Sequence, residues 1–196
     1  MLMFNHFIAM ECYQQTFEKK DFYENPLTMG TYEECHFHGC TFINVDLSHY
    51  IFINCTFDGC DLSMVKLNNT SLQEVLFCNC KLLGVPFSDC RQLLLSFRLE
   101  RCMARLALFC RLKLKGSLWS ECMLQEADFS EADLSNALFE RCEFPQATFF
   151  HTNLEGADFR TSWHYSINPA TNRVRKARFS LAGIAGLLES FDVVIE

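Results

Sequence analysis

Large apolar residues recur along this chain every five positions. From Phe17 the series runs Phe22, Leu27, Tyr32, Phe37, Phe42, Leu47, Phe52, Phe57, Leu62, Leu67, Leu72, Phe77, Leu82 and Phe87. Two residues before most of these centres stands something small or β-branched: Cys35, Cys40, Val45, Cys55, Cys60, Val65, Thr70, Val75, Cys80, Val85. The other three positions of each five are mostly polar. An α-helix repeats every 3.6 residues and a strand every two, so neither produces this spacing.

The series returns shifted by two: Leu99, Ala104, Phe109, Leu114, Trp119, Leu124, Phe129, Leu134, Phe139, Phe144, Phe149, Leu154, Phe159. The stretch "ADFSEADLSNALFERCEF" is its cleanest part. The shift falls in residues 88–98, "SDCRQLLLSFR", and two extra residues predict a bulge or bend rather than a projecting loop.

This pattern resembles the pentapeptide-repeat family, whose motif is small, Asp/Asn, Leu/Phe, polar, variable. The resemblance covers roughly residues 17–160. It implies an all-β fold, a right-handed quadrilateral β-helix in which each five residues form one side. Four sides make a coil, and centre and small residue both point inward. Coils at strand spacing, ~4.8 Å, satisfy one another's backbone groups, and such a rod needs capped ends. We expect residues 1–16 to cap the N-terminus and 161–196 to form a C-terminal cap and dimerisation segment.

Composition changes the picture where the cysteines are concerned. Twelve cysteines, and "EECHFHGC" at 33–40, suggest metal binding. The register separates those ligands: Cys35 and Cys40 occupy inward positions, while His36 and His38 flank Phe37 and point out. Zinc needs its ligands on one tetrahedron. Cys40, Cys60, Cys80, Cys102, Cys122 and Cys142 are spaced by twenty residues, or by twenty-two across the shift, and so stack in one column. Packing as small hydrophobes is the favoured reading over a redox relay. Cys78 and Cys110 follow centres and are expected nearer the surface.

No phosphate-binding glycine loop, nucleophile elbow or metal-ligand spacing is present in the sequence. A dense core offers no cleft, so no catalytic residues, metal or cofactor are expected. No apolar run approaches the ~20 residues of a membrane helix, and "MLMFNHFIAMECYQQ" lacks the basic start of a signal peptide. A cytoplasmic location follows as the expectation.

Net charge is −7, which argues against direct nucleic-acid binding. Residues 21–65 hold seven acids and no base; 90–115 hold seven bases and one acid; 117–160 hold nine acids and two bases. The acidic parts nominate Asp46, Asp58, Asp61, Glu126, Asp128, Glu131, Asp133, Glu140 and Glu143 as a partner-binding surface, although their predicted faces differ. Aspartate before the centre is also the motif's own residue, which leaves a structural role open for several of them. The middle nominates a basic belt of Arg98, Arg101, Arg105, Arg111, Lys113 and Lys115.

The tail "KARFSLAGIAGLLESFDVVIE" leaves the repeat. Ser180 fits an N-cap, and Leu181, Ile184, Leu187, Leu188 and Phe191 fall on one helical stripe that continues into Val193. The stretch "DVVIE" reads as a short strand. A cap over the last coil and a dimer contact both suit this segment.

The tail, with "TSLQEVLFCNCKLLGV" (70–85), "ERC" (100–102) and "KARFSL" (176–181), is most similar to the topoisomerase-protecting branch of the family. That branch comprises the quinolone-resistance and albicidin-resistance proteins. The resemblance implies a homodimer joined at its C-terminal ends that mimics duplex DNA. Such a dimer binds DNA gyrase or topoisomerase IV and relieves drug or toxin inhibition without chemistry. A protein-interaction scaffold with a different partner is the alternative, and an enzyme or redox protein the third reading.

Overall fold

The computed structural model describes residues 10–191 and 193. The chain winds into a parallel β-solenoid with four walls. On the first wall Phe17 pairs with Phe37, Phe37 with Phe57 and Phe57 with Phe77, each twenty residues on. This wall is a seven-stranded parallel sheet from Thr16–Glu18 to Leu138–Glu140. The fourth wall carries a four-stranded sheet of Met10–Tyr13, Gly30–Glu33, Ile51–Ile53 and Ser71–Gln73. Walls two and three are held by single bridges such as Thr41 to Asp61 and Asp46 to Lys66.

The five-residue period fixes the corners. The residue two after most centres takes a left-handed conformation, as at Asn44 (φ 59°), Asn54 (φ 51°), Glu126 (φ 57°) and Glu131 (φ 59°). That conformation costs an L-residue about 1–2 kcal/mol. Most corner N–H groups then reach the next coil's carbonyl, as Asn44 does to Ser63 at 3.0 Å.

Inside, the centres stack as the coils do. Phe17, Phe37, Phe57 and Phe77 lie ring over ring at 4.8, 4.6 and 5.2 Å. The small positions do more than leave room. The Cys60 thiol donates to the Phe37 carbonyl (3.2 Å), Cys80 to Phe57 (3.3 Å), and Thr70 to Leu47 (2.8 Å). A small side chain with one donor therefore ties each coil to the preceding one.

The phase shift is confined to the fourth wall, where Cys90–Ser96 replaces a five-residue side with seven. Its ends are anchored: the Arg91 N–H donates to the Thr70 carbonyl and the Ser96 N–H to that of Leu72, both at 2.9 Å. Leu93 and Leu94 bulge out, 60% and 67% exposed. From there Leu99 pairs with Phe77, twenty-two residues apart.

The ladder runs beyond the stretch in which the sequence repeat is regular. Asp158 bridges Arg178, and Phe179 stacks on Phe159 at 5.5 Å. The Ser180 hydroxyl accepts the Gly183 N–H at 3.1 Å, as an N-cap does. The short C-terminal helix expected beyond it is present as the α-turn Ala185–Leu188, flanked by 3-10 turns at Leu181–Gly183 and Glu189–Phe191. This segment packs closely over Tyr165. A Cβ on Gly186 would sit 2.0 Å from the Tyr165 carbonyl oxygen, so only glycine fits there. The strand expected over 192–196 lies outside the described residues apart from Val193, as do residues 1–9 of the N-terminal cap.

Candidate functional site

The walls gather the charged residues into columns, and the columns decide which charges remain available. Four of the nine nominated acids are turn residues. Asp46, Asp61, Asp128 and Asp133 each accept the backbone N–H two residues on, from Ser48, Ser63, Ser130 and Ser135, at 2.8–3.1 Å. Hydrogen bonding from Ser48 holds the Asp46 carboxyl below the usual range. These aspartates satisfy a turn donor that a free surface carboxylate would leave to water.

The other five acids have polar or basic side-chain neighbours. Glu126 pairs with Arg105 at 2.9 Å, Glu131 with Arg111 at 3.4 Å and Glu140 with Arg141 at 3.0 Å. Asp58 accepts from Asn79 at 2.8 Å and meets His38 at 3.1 Å, and these contacts lower its pKa. Glu143 lies 4.0 Å from His164. The nominated acids thus do not form one open carboxylate row. They are spread over the four walls, each with a local partner, within its own turn or on the coil above or below.

The same pairing divides the basic belt. Arg101, Arg105 and Arg111 pair with Glu100, Glu126 and Glu131. Arg98, Lys113 and Lys115 have no ion pair among the described residues, and all three line one cavity of about 300 Å³ at the corner between the fourth and first walls. Sequence reasoning found these bases but missed this notch, whose only signal is the two-residue insertion beside them.

The metal-like stretch separates as the register requires. Cys35 and Cys40 are buried, whereas His36 and His38 are exposed on the strand His36–His38. Of the cysteines, Cys78 and Cys110 are half-buried and the other ten buried. Burial pushes the Cys55 and Cys90 thiols up to about 12. Thiols so raised are poor nucleophiles at neutral pH.

At the C-terminal end the apolar residues divide in two. Leu187 is half-buried and packs against the core. Leu188 is half-buried, while Leu181, Ile184, Phe191 and Val193 are exposed, Leu181 to 86%.

Two family profiles match this chain. The one described as "Pentapeptide repeat region" covers residues 31–109, and "Pentapeptide repeats (8 copies)" covers 105–141 and 127–162. The chain belongs to the pentapeptide-repeat family. No relative among curated proteins matches it. Among solved structures this pentapeptide-repeat protein is similar to full-length QnrB1, a plasmid-mediated fluoroquinolone resistance protein. The likeness has a TM-score of 0.58 at 17% identity, over 94% of this chain and 100% of that one. It is similar also to HetL, a pentapeptide repeat protein involved in heterocyst differentiation regulation from the cyanobacterium Nostoc. There the TM-score is 0.51 at 14% identity, over 88% and 89% of the two chains. At these identities the likeness establishes the solenoid alone. No helix among the described residues is long and apolar enough to cross a membrane.

Proposed function

We propose that this protein is a non-catalytic rod that binds DNA gyrase or topoisomerase IV and shields it from a drug or toxin. It acts as a homodimer joined through its C-terminal caps. The observation that carries this reading is the cap. A fold whose interior is closed leaves Leu181, Ile184, Phe191 and Val193 exposed together at one end. An apolar end of that kind suits a second copy, which would double the rod's length and charge. The match to QnrB1 over its whole length supports a comparable extent and closure of the solenoid.

DNA mimicry, on this reading, rests on shape and net charge more than on a row of free carboxylates. Duplex DNA carries one charge per ~1.7 Å, or about two dozen over a rod of about 40 Å, against a net −7 here. The local pairing of the acids favours a second reading, a protein-interaction scaffold with another partner. Sedimentation of the purified protein alone and with gyrase, with and without DNA as competitor, separates the two. A dimer that binds gyrase and is displaced by DNA supports the first. Absence of any complex with gyrase or topoisomerase IV overturns it.

A further inference from the structure

The seven-residue side Cys90–Ser96 leaves a mark on the coil that follows. At equivalent positions of the fourth wall the backbone N–H bonds the preceding coil: Asp133 to the Leu112 carbonyl, Asn153 to Ala132 and Arg173 to Thr152, at 2.9–3.0 Å. The Lys113 N–H makes no such bond among the described residues. The two-residue insertion lies in the preceding coil's side, from which the acceptor would come, and Lys113 itself lines the notch.

The notch is built for negative charge. Arg98, Lys113 and Lys115 line it, none held in an ion pair among the described residues, and the Lys113 N–H has no backbone acceptor among them. The one acid in the wall, Glu74, accepts the Ser96 hydroxyl at 2.9 Å. Leu95, half-buried, and Leu118, exposed, add apolar surface. Three cations, a free donor and two leucines together match carboxylates next to an apolar side chain. A volume of about 300 Å³ is at the lower end for ligand pockets and admits a few side chains.

We propose that this notch docks an acidic segment of a partner protein. Its carboxylates meet Arg98, Lys113, Lys115 and the Lys113 N–H, and its apolar residue rests on Leu95 and Leu118. A nucleic-acid backbone offers anions too, but is disfavoured by the rest of the surface. Residues 21–65 carry seven acids and no base, and residues 117–160 nine acids and two bases. A long polyanion crossing the notch would run into both, whereas a short peptide touches only the basic patch. The assignment stands on this wall's geometry and is independent of whether the rod meets a topoisomerase.

The test is fluorescence anisotropy of the full chain with three labelled probes. These are the peptide Glu-Glu-Leu-Asp-Glu, its Gln/Asn counterpart and an oligothymidylate. The acidic peptide is expected to bind, weakening with added salt, and the neutral peptide not to bind. Lys113→Glu with Lys115→Glu should weaken binding about tenfold or more. Arg105→Glu with Arg111→Glu, which changes paired bases of the same belt, should leave it within about twofold. Both lysines are exposed, so the fold should survive, and circular dichroism checks that it does. Three results would each overturn the proposal. They are no peptide binding, equal sensitivity to the two double variants, or preferential binding of the oligothymidylate at this notch.

Discussion

The ring of Phe97 lies 4.8 Å from that of Phe87, the planes 24° apart. Yet Phe97 occupies a small-residue position. Its ladder partner is Val75, and the other coils place Cys35, Cys55, Ser117, Ala137 and Ala157 there. The seven-residue side brings no large centre of its own fully inward, since Leu93 and Leu94 are exposed and Leu95 only partly buried. Phe97 fills the space, within stacking range of Phe87 and edge-on to Trp119 at 6.2 Å.

Phe97→Ala should therefore destabilise the rod by about 3–5 kcal/mol, the range for deleting a buried phenylalanine. Ala137→Gly, at an equivalent position in a regular coil, should cost only about 1 kcal/mol. Urea unfolding followed by circular dichroism measures both. A cost below about 1 kcal/mol for Phe97→Ala would mean the ring fills no essential space.

The thiols should be silent in the native state. Ten of the twelve are buried, and burial pushes Cys55 and Cys90 up to about 12. A thiol-exchange reagent at mildly alkaline pH should label Cys78 and Cys110 at most, and all twelve once the chain is denatured. Rapid native labelling of Cys60 or Cys122 would contradict the packing role of the column.

Acid should weaken the fold in a defined window. Arg160 reaches Asp158 at 2.7 Å and holds its carboxyl below the usual range, and Arg141 does the same for Glu121 at 2.9 Å. With the folded pKa depressed, the unfolded chain binds more protons as pH falls. The stabilisation is then complete above the ordinary carboxylate pKa of ~4 and lost as pH drops through the folded values. The melting temperature should be level from neutrality to about pH 5 and fall below about pH 4. Asp158→Asn should make that fall shallower. An acid limb identical to wild type would show that Asp158 contributes nothing to it.

At the cap, two substitutions should separate dimer from fold. Leu181→Asp with Phe191→Asp changes exposed residues and should yield monomers with little change in melting temperature. Leu187→Asp strikes a residue packed on the core and should lower the melting temperature by several degrees. Light scattering after gel filtration reads the first and thermal denaturation the second. A dimer persisting through the double change would place the interface elsewhere.

The solenoid was legible in the sequence because its cause is local and periodic. A five-residue spacing of Phe and Leu, with a small residue two before, specifies which side chains point in. That sufficed to separate Cys35 and Cys40 from His36 and His38. Charge availability was not legible to the same degree. Arg111 and Glu131 become neighbours only when coils stack, and the donor role of the Cys60 thiol needs the Phe37 carbonyl beneath it. The stripe from Leu181 to Phe191 looked continuous. Its close packing over Tyr165, which lies outside the regular repeat, was not legible.

The central claim, protection of a type II topoisomerase, is tested most directly by a gyrase supercoiling assay. Purified protein is titrated against DNA gyrase in the presence of a fluoroquinolone and, separately, of albicidin. The account predicts that supercoiling is restored in at least one case, with inhibition of gyrase itself at higher protein concentration. Unchanged supercoiling across the titration, with and without either inhibitor, and the same result with topoisomerase IV, would contradict it.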